Sequence, residues 1–382
     1  MRIILCSLFL LAPVFAIAQD SSDRLKSIED RLNKLEGAPA ENSLSAFNPA
    51  MGIALDTVYH HTANKGNYLF RAAELNLGAP IDPFLKGWAI LTGSPDGVEV
   101  EEAALETTAL PYNLKIRGGR LFAALGRLAH FHDHELPVID RPRSLDTFLD
   151  GETQGDGVEA SLLLPTPFYL NATVGAFNKI GAENTRADNA VPRSLYEFTY
   201  LGRLNTYADL GDDHSIELGM NTAWTPKRFV TDGTGMEVRG NTWRTVHGAD
   251  LTYRYHPTRG GLYRGIVWGT EVFQNDEQRF NLTTMMPRER VKAHSGFSHI
   301  QLKMGRHWRP GVLVDLTEDL DQPSQITRTY SGFLTYDLTE FQRLRFVYSY
   351  VTDNVPGNPR NNIVGLQWTG VLGYHVHGFR DR

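Results

Sequence analysis

The chain has 382 residues, of which 41% are hydrophobic and 10% aromatic, with 35 Gly, 19 Pro, one Cys and a net charge of −6. This apolar content is too high for a disordered chain, and the acidic balance argues against a nucleic-acid-binding protein. Beyond the N-terminus, no apolar run approaches the roughly 18 residues of a membrane-spanning helix. A soluble β-rich protein or a membrane β-barrel remains.

Residues 1–18 are predicted to be a secretory signal peptide. Arg2 is followed by an apolar run that ends in Ala16-Ile17-Ala18, which matches an A-x-A cleavage pattern. Cys6 lies inside this segment, so the exported chain is expected to have no disulfide and no thiol chemistry.

Residues 19–48 are predicted to form a short amphipathic, coiled-coil-like helix and a polar linker. The helix has apolar residues at a and d spacing, and two heptads are too few for a stable isolated helix. Two interpretations follow: self-association into a homo-oligomer, such as a trimer, or a frayed helix ahead of the main domain. The apolar positions are Leu25, Ile28, Leu32 and Leu35.

Residues 49–382 are predicted to form an all-β fold, a transmembrane antiparallel β-barrel of about 16 strands. Apolar and polar residues alternate in segments of about ten residues, the length of a tilted membrane strand. The alternation breaks near Glu101 and Glu102, which predicts a β-bulge that returns Ala103 and Leu105 to the lipid side. The predicted strands span 50–61, 68–78, 83–92, 97–109, 112–123, 157–164, 167–177, 194–206, 214–224, 244–255, 263–273, 295–305, 309–318, 329–338, 341–351 and 361–372.

Short and long connections alternate between these strands. The long ones are predicted at 124–156, 178–193, 225–243 and 274–294, and Tyr and Trp recur near strand ends. This pattern is typical of a barrel in the outer membrane of a Gram-negative bacterium, with both termini on the short-turn, periplasmic side. The expected partners are the lipid bilayer and the barrel-assembly machinery, and no nucleic acid.

Several segments resemble a known family. They are Asn361 to Phe379 at the C-terminus, Asp96 to Ala103, Gly119 to Phe122, the His-rich segment before Val138 to Pro142, and Asp156-Gly157-Val158. The chain resembles porin-like outer-membrane proteins often labelled zinc-regulated, which are similar to the phosphate-selective (O/P type) porins. The resemblance implies an outer-membrane channel and names no particular solute.

The third outer loop, 124–156, is long enough to fold into the lumen, where charges at a constriction decide conduction. Basic residues there could guide anions, as the resemblance suggests; the alternative is a mixed-charge wall with weak selectivity. The candidate pore-lining bases are Lys115, Arg117, Arg120, Arg127, Arg141 and Arg143. The candidate acids are Glu99, Glu101, Asp133, Asp140 and Asp146.

The same loop contains a candidate metal site. His130, His132 and His134, with Asp133, offer ligands suited to Zn²⁺, and His375 with His377 forms a second group at the opposite end of the barrel. The alternative is a polar loop whose side chains bond each other. No cofactor is required; these ligands suit Zn²⁺ or Cu²⁺, and zinc is the candidate metal.

The sequence contains none of the hydrolase, metalloprotease or phosphate-loop motifs, so we do not expect an enzyme. The leading functional hypothesis is a porin-like channel for passive diffusion of small polar or ionic solutes. One alternative is a zinc-linked protein that binds or takes up metal, and another is a structural or adhesive barrel with no open pore.

Overall fold

The computed structural model describes residues 49–374 except 63–64, 182–191, 232–236, 262, 282–283, 285, 356 and 358–359. The predicted signal peptide, the predicted helix and linker, and the pair His375 and His377 lie outside the described residues. Among the helices that the structure describes, none has the length and hydropathy needed to cross a membrane.

Sixteen β-strands account for most of the described residues, and neighbouring strands are antiparallel throughout. The predicted fold class and strand number are therefore confirmed. The strands are β1 (Ala50–Thr62), β2 (Lys65–Pro80), β3 (Leu85–Ser94), β4 (Gly97–Thr107), β5 (Leu114–Phe122), β6 (Gln154–Leu163), β7 (Tyr169–Phe177), β8 (Thr199–Asp209), β9 (His214–Thr231), β10 (Glu237–Tyr255), β11 (Arg264–Asn281), β12 (Met286–Met304), β13 (Trp308–Glu318), β14 (Ile326–Asp337), β15 (Gln342–Asp353) and β16 (Asn361–Gly373).

The barrel closes because its first strand pairs with its last. Residues 52–62 of β1 pair in continuous antiparallel register with β16. On the inner face of this seam, the buried Asp56 carboxylate accepts hydrogen bonds from Thr369 Oγ1 at 2.8 Å and from Gln367 Nε2 at 3.0 Å. Closure gives every strand of the sheet two neighbours, which is what a lipid environment requires.

Where the strands cross the membrane, their outer face is mainly apolar and their inner face is more polar. On β16, Leu366 and Trp368 are exposed on the outside, whereas Gln367 and Thr369 between and beside them are buried inside. The predicted bulge in β4 is confirmed, because the register against β3 shifts at Glu101. Both Glu101 and its neighbour Glu102 are buried, and Leu105 returns to the outer face.

The predicted boundaries are wrong on one side of the barrel. Strands β9 to β12 have 18 or 19 residues each, so most of the predicted loops 225–243 and 274–294 are strand. Crossing a membrane takes only about ten residues, so these strands extend beyond it. The extensions meet water rather than lipid and lose the apolar alternation on which the prediction relied.

The position of the apolar belt can be tested with one charged residue. We expect Val314→Arg, on the outer face of β13, to lower the free energy of unfolding by about 2–4 kcal/mol, because the charge would lie near the bilayer midplane. Met304→Arg, at the end of β12 beside a short turn, should cost less than about 1 kcal/mol because headgroups and water can solvate it. Reversible urea unfolding in lipid vesicles measures both. Equal costs at the two sites would contradict this placement.

Candidate functional site

Loop L3, residues 123–153, joins β5 to β6 and lies inside the barrel. It contains two short 3₁₀ turns, Leu128–His130 and Asp133–Glu135, and the helix α1, Arg143–Leu149. Helix α1 ends at Asp150, which adopts a left-handed conformation with φ 56°, and Gly151 follows with φ 85°. This turn reverses the chain toward β6. The predicted outer loop 124–156 thus folds into the lumen.

Apolar packing holds loop L3 against the inner wall. Its large apolar side chains are almost completely buried, and each contributes about 1.5–3 kcal/mol relative to an exposed position. They form one cluster with apolar residues that point inward from the strands. The loop members are Leu125, Leu128, Leu136, Ile139, Leu145 and Phe148, and the wall members include Phe177, Leu201, Val246, Phe273, Phe297, Phe333 and Val347.

Hydrogen bonds to β11, β13 and β15 fix the path of the loop. Glu271 on β11 accepts the backbone N–H groups of Arg127 at 2.7 Å and Leu128 at 2.8 Å. Asp315 on β13 accepts the N–H of Ser144 at 2.9 Å, at the start of α1. Arg345 on β15 donates to the Val138 carbonyl at 3.0 Å. Loop L3 therefore crosses the lumen and contacts distant strands.

Gly126 allows the loop to approach the wall closely. Its φ is +72°, and a Cβ there would lie 3.0 Å from Glu271 Oε2. Its carbonyl accepts a hydrogen bond from Arg203 of β8 at 2.9 Å, and Arg203 also pairs with Asp250 of β10. A larger residue would strain the backbone and displace Glu271 from the N–H groups that it accepts.

Two of the predicted histidines meet two carboxylates of the wall. In this histidine–glutamate cluster, His132 Nδ1 lies 2.7 Å from Glu101 Oε1, and His134 Nδ1 lies 2.9 Å from Glu74 Oε1. All four side chains are buried, and the two imidazole rings stack with centroids 5.7 Å apart. The cluster ties the middle of loop L3 to β2 and β4.

The electrostatics of the cluster favour protonated imidazoles. Burial by itself disfavours the charged ring, but the carboxylates of Glu101 and Glu74 outweigh it and raise the pKa of His132 well above the ordinary value. Burial also opposes charge on His134, and the Glu74 carboxylate again outweighs it, so its pKa is raised. Opposite charges within hydrogen-bond distance therefore stabilise this contact.

The other predicted metal ligands of the loop lie elsewhere. Asp133 contacts Arg141, with Oδ1 2.9 Å from Nε, and lies 3.6 Å from Arg71. The His130 ring packs on Phe131, with centroids 4.6 Å apart. The structure thus brings together His132 and His134, and it does not bring His130 or Asp133 to them.

Most of the predicted pore-lining bases are paired with carboxylates. Arg117 pairs with the buried Glu159, Arg127 with Glu217 at 2.8 Å, and Arg141 with Glu152 at 2.5 Å. Lys115 is exposed and lies 4.0 Å from Glu106, and Arg143 is exposed on α1. Charges neutralised in this way contribute less to the field in the lumen than their number suggests.

The prediction that Arg120 lines the pore is wrong. This arginine lies opposite Ala103, on the face of β5 away from the buried Leu121, and pairs with Asp156 at 2.8 Å. Neighbouring residues of a strand point to opposite faces, so Arg120 lies on the outer side.

The predicted acids lie in several places. Glu99 is exposed at the outer end of β4. On loop L3, Asp146 is exposed on α1 and Asp140 is exposed beside His60 Nε2 at 3.1 Å.

Two cavities lie toward the two ends of the barrel, and loop L3 lines the first of them. The outer cavity, on the long-loop side, has a volume of about 300 Å³ and is lined by α1 and by the upper parts of β9, β10 and β11. The periplasmic cavity, on the short-turn side, has a volume of about 830 Å³. Among its charged lining residues, four bases face two acids: Lys303, Arg306, Arg309 and Arg343, with Asp337 and Glu340.

The sequence did not reveal the wall partners of the histidines. Glu74 lies on β2, far from the loop in sequence, and Glu101 was expected only as a lining charge. In the sequence, each is an acidic residue at an inward position of a strand. Such residues are common in a barrel with a polar interior and do not indicate a partner. Only the path of loop L3 selects these two carboxylates.

No family model matches the sequence. An uncharacterized protein of Aquifex aeolicus (strain VF5) is 27% identical over 299 residues, which are 74% of this chain and 63% of the relative. The chain thus spans less than two thirds of that relative's length.

Solved structures of outer-membrane proteins have a similar fold. The anion-selective porin from Comamonas acidovorans matches with a TM-score of 0.56 and 11% identity, over 85% of this chain and 99% of that chain. OmpT of Vibrio cholerae, in its trimer form, matches with a TM-score of 0.54, 11% identity and the same coverage. OmpF of Salmonella typhi, in complex with daunomycin, matches with a TM-score of 0.53 and 10% identity, over 86% and 98%.

The fold is that of a porin-like outer-membrane barrel. At sequence identities of 10–11%, these structural similarities show the fold alone. The apolar outer face of the closed barrel places the chain in the outer membrane. The finer resemblance, to zinc-regulated proteins and phosphate-selective porins, stays a prediction.

The histidine–glutamate cluster should make the attachment of loop L3 depend on pH. Because the pKa values of His132 and His134 are raised on folding, their stabilising contribution is complete below about pH 6.5 and is lost as the pH rises through the raised values. We expect amide protection factors at Leu136, Val138 and Ile139 to fall between neutral and alkaline pH in metal-free buffer.

Hydrogen exchange followed by mass spectrometry measures this effect. Glu74→Gln should reduce the pH dependence, because it removes the carboxylate bonded to His134, while Glu101 still pairs with His132. His60→Gln is the matched control, since this half-buried histidine contacts the same loop at Asp140. An undiminished pH dependence in Glu74→Gln, or an equal reduction in His60→Gln, would contradict the assignment.

Proposed function

We propose that the protein is an outer-membrane channel for passive diffusion of small polar or ionic solutes. The observation that carries this proposal is loop L3, held inside a closed sixteen-stranded barrel by contacts with β2 and β4 and with β11, β13 and β15. A barrel of about this size is wide enough for an aqueous channel, and a loop fixed in it narrows the passage. Solutes would pass beside the loop, between the outer and periplasmic cavities.

We further propose that the channel prefers anions. The chain as a whole is acidic, yet bases outnumber acids among the residues that line each cavity. Local charge in a low-dielectric passage matters more for a permeating ion than net charge does, because the surrounding protein concentrates the field. A cation-selective or non-selective pore is the alternative.

Planar-bilayer recording tests both proposals. We expect the native protein to conduct, and its reversal potential in a KCl gradient to have the sign of chloride preference. Replacing residues 127–150 of loop L3 with a short Gly-Ser linker should raise single-channel conductance several-fold, because the obstruction is removed while the barrel keeps its own hydrogen bonds.

Three outcomes separate the candidate functions. Conductance that appears only after loop removal would favour the structural or adhesive barrel with a filled lumen. A potassium preference would contradict the anion proposal and leave the channel standing. If neither protein conducts, although both are folded and inserted, the channel proposal is wrong.

A second candidate function is binding of a divalent metal, such as Zn²⁺, at the histidine–glutamate cluster. The ligand atoms of Glu74, Glu101 and His132 lie within 4.8 Å of one another, and mixed oxygen and nitrogen donors suit zinc. His134 bonds Glu74 and would orient that carboxylate. Because each imidazole is already paired with a carboxylate, metal would have to displace a proton, so we rank this function second.

Calorimetric titration with Zn²⁺ at one fixed pH tests the metal hypothesis. His132→Ala should weaken zinc binding by more than about tenfold, since even residues that only orient a ligand have effects of that size. His130→Ala is the matched control, because it removes an imidazole from the same loop without touching the cluster. Equal losses in the two variants, or no binding heat in the native protein, would exclude this site.

We also propose that the protein forms a homo-oligomer. The support is the predicted amphipathic helix at residues 21–36 together with the trimer form of OmpT, which shares the barrel fold. Two heptads with an apolar stripe would bury that stripe between protomers.

A further inference from the structure

We propose that the outer cavity is a binding site for small organic carboxylates with an apolar body, such as an aromatic ring. The inference deepens the channel proposal and rests on it, because it names the solute class that the outer entrance would select. Its basis is a cluster of arginines in a lining that also contains apolar side chains.

Three arginines from adjacent strands share one buried carboxylate. Arg228 of β9, Arg244 of β10 and Arg279 of β11 surround Glu277, which is 0% exposed. Arg279 Nη1 lies 2.6 Å from Glu277 Oε1, Arg228 also pairs with this carboxylate, and Arg244 Nε lies 4.0 Å from Oε2. One carboxylate therefore serves three guanidinium groups.

The remaining partners of these arginines leave an excess of positive charge. Arg244 donates to the neutral oxygens of Asn275 and Phe148, each at 2.7 Å, and Arg228 donates to Thr242 Oγ1 at 3.3 Å. Among the described residues, only Arg279 of these three has a further carboxylate, the exposed Asp321, which Arg288 also approaches. Among the described residues that line the cavity, five bases face two acids: Lys179, Arg193, Arg228, Arg244 and Arg279, with Asp150 and Glu197.

Partial burial makes this charge excess favourable for an anion. The three arginine side chains are only 17–21% exposed, so water solvates them poorly. A carboxylate that entered the cavity would supply opposite charge and charge-assisted hydrogen bonds in a setting where both are stronger than in bulk water. Guanidinium groups match the planar geometry of a carboxylate.

Apolar side chains in the same lining indicate the rest of the ligand. The lining includes Phe148 and Leu149 of α1 together with Phe229 and Leu320, and the Arg193 guanidinium lies 4.1 Å above the Phe229 ring. The volume of about 300 Å³ is at the lower end of the range for ligand pockets. Inorganic phosphate would leave these apolar side chains without a partner, whereas an aromatic or branched carboxylate would contact both them and the arginines.

Benzoate is the probe for this site. Calorimetry with the full-length protein in detergent should show benzoate binding more tightly than acetate, inorganic phosphate or benzyl alcohol, because only benzoate has both the charge and the ring. In bilayers, benzoate added on the outer side should reduce the chloride current in a saturable way.

Single substitutions locate the site. Arg228→Gln should weaken benzoate binding by roughly tenfold, the size of one lost hydrogen bond to a charged group, and Arg228→Lys should weaken it less. Arg306→Gln is the matched control, because it removes the same charge at the periplasmic cavity and should change affinity by less than about twofold. Circular dichroism and co-flotation with lipid vesicles show that each variant is folded and inserted, whether or not it conducts.

The outcomes keep this site distinct from the channel proposal. Conductance without benzoate binding would overturn the proposed binding site and leave the channel proposal standing. Benzoate binding without conductance would overturn the channel proposal. Phosphate binding as tightly as benzoate would overturn the organic carboxylate in favour of a simple anion site. An equal loss in Arg228→Gln and Arg306→Gln would also overturn it, since the effect would then come from overall charge.

Discussion

The structure depends on one constraint: in a bilayer, backbone hydrogen bonds have to be made within the protein. The pairing of β1 with β16 satisfies it by removing the last sheet edge, and Asp56 strengthens this seam from inside through Gln367 and Thr369. Closure also separates two environments. Side chains that point outward meet lipid, and those that point inward surround a space that the protein must fill or leave to water.

Loop L3 determines how that inner space is used. Its apolar residues pack on inward apolar residues of the wall, while Glu271, Asp315 and Arg345 hold its backbone at three separate strands. The interior therefore combines an apolar core, as in a soluble protein, with buried ion pairs. Cavities remain toward the outer and the periplasmic end of the barrel. Among the described lining residues of each cavity bases outnumber acids, although the net charge of the chain is negative.

The candidate site illustrates how charge is distributed by pairing. Arg117, Arg127 and Arg141 were equal candidates as lining bases, and each is neutralised by a carboxylate in the fold. The arginines around Glu277 were assigned to no site from the sequence, yet they share one carboxylate and border the outer cavity. The charge that a solute meets therefore depends on how many carboxylates lie beside the bases. A count of residues in the sequence does not reveal this.

The sequence by itself determined the barrel, its strand number, the bulge in β4 and the long third loop, because lipid on one face imposes alternation that is visible residue by residue. It misplaced the ends of β9 to β12, where strands leave the lipid and alternation stops. Only the tertiary structure decided which carboxylates meet His132 and His134, and that Arg120 faces outward. Such contacts join residues far apart in the chain, and the folding of loop L3 into the lumen selects among many equivalent inward charges.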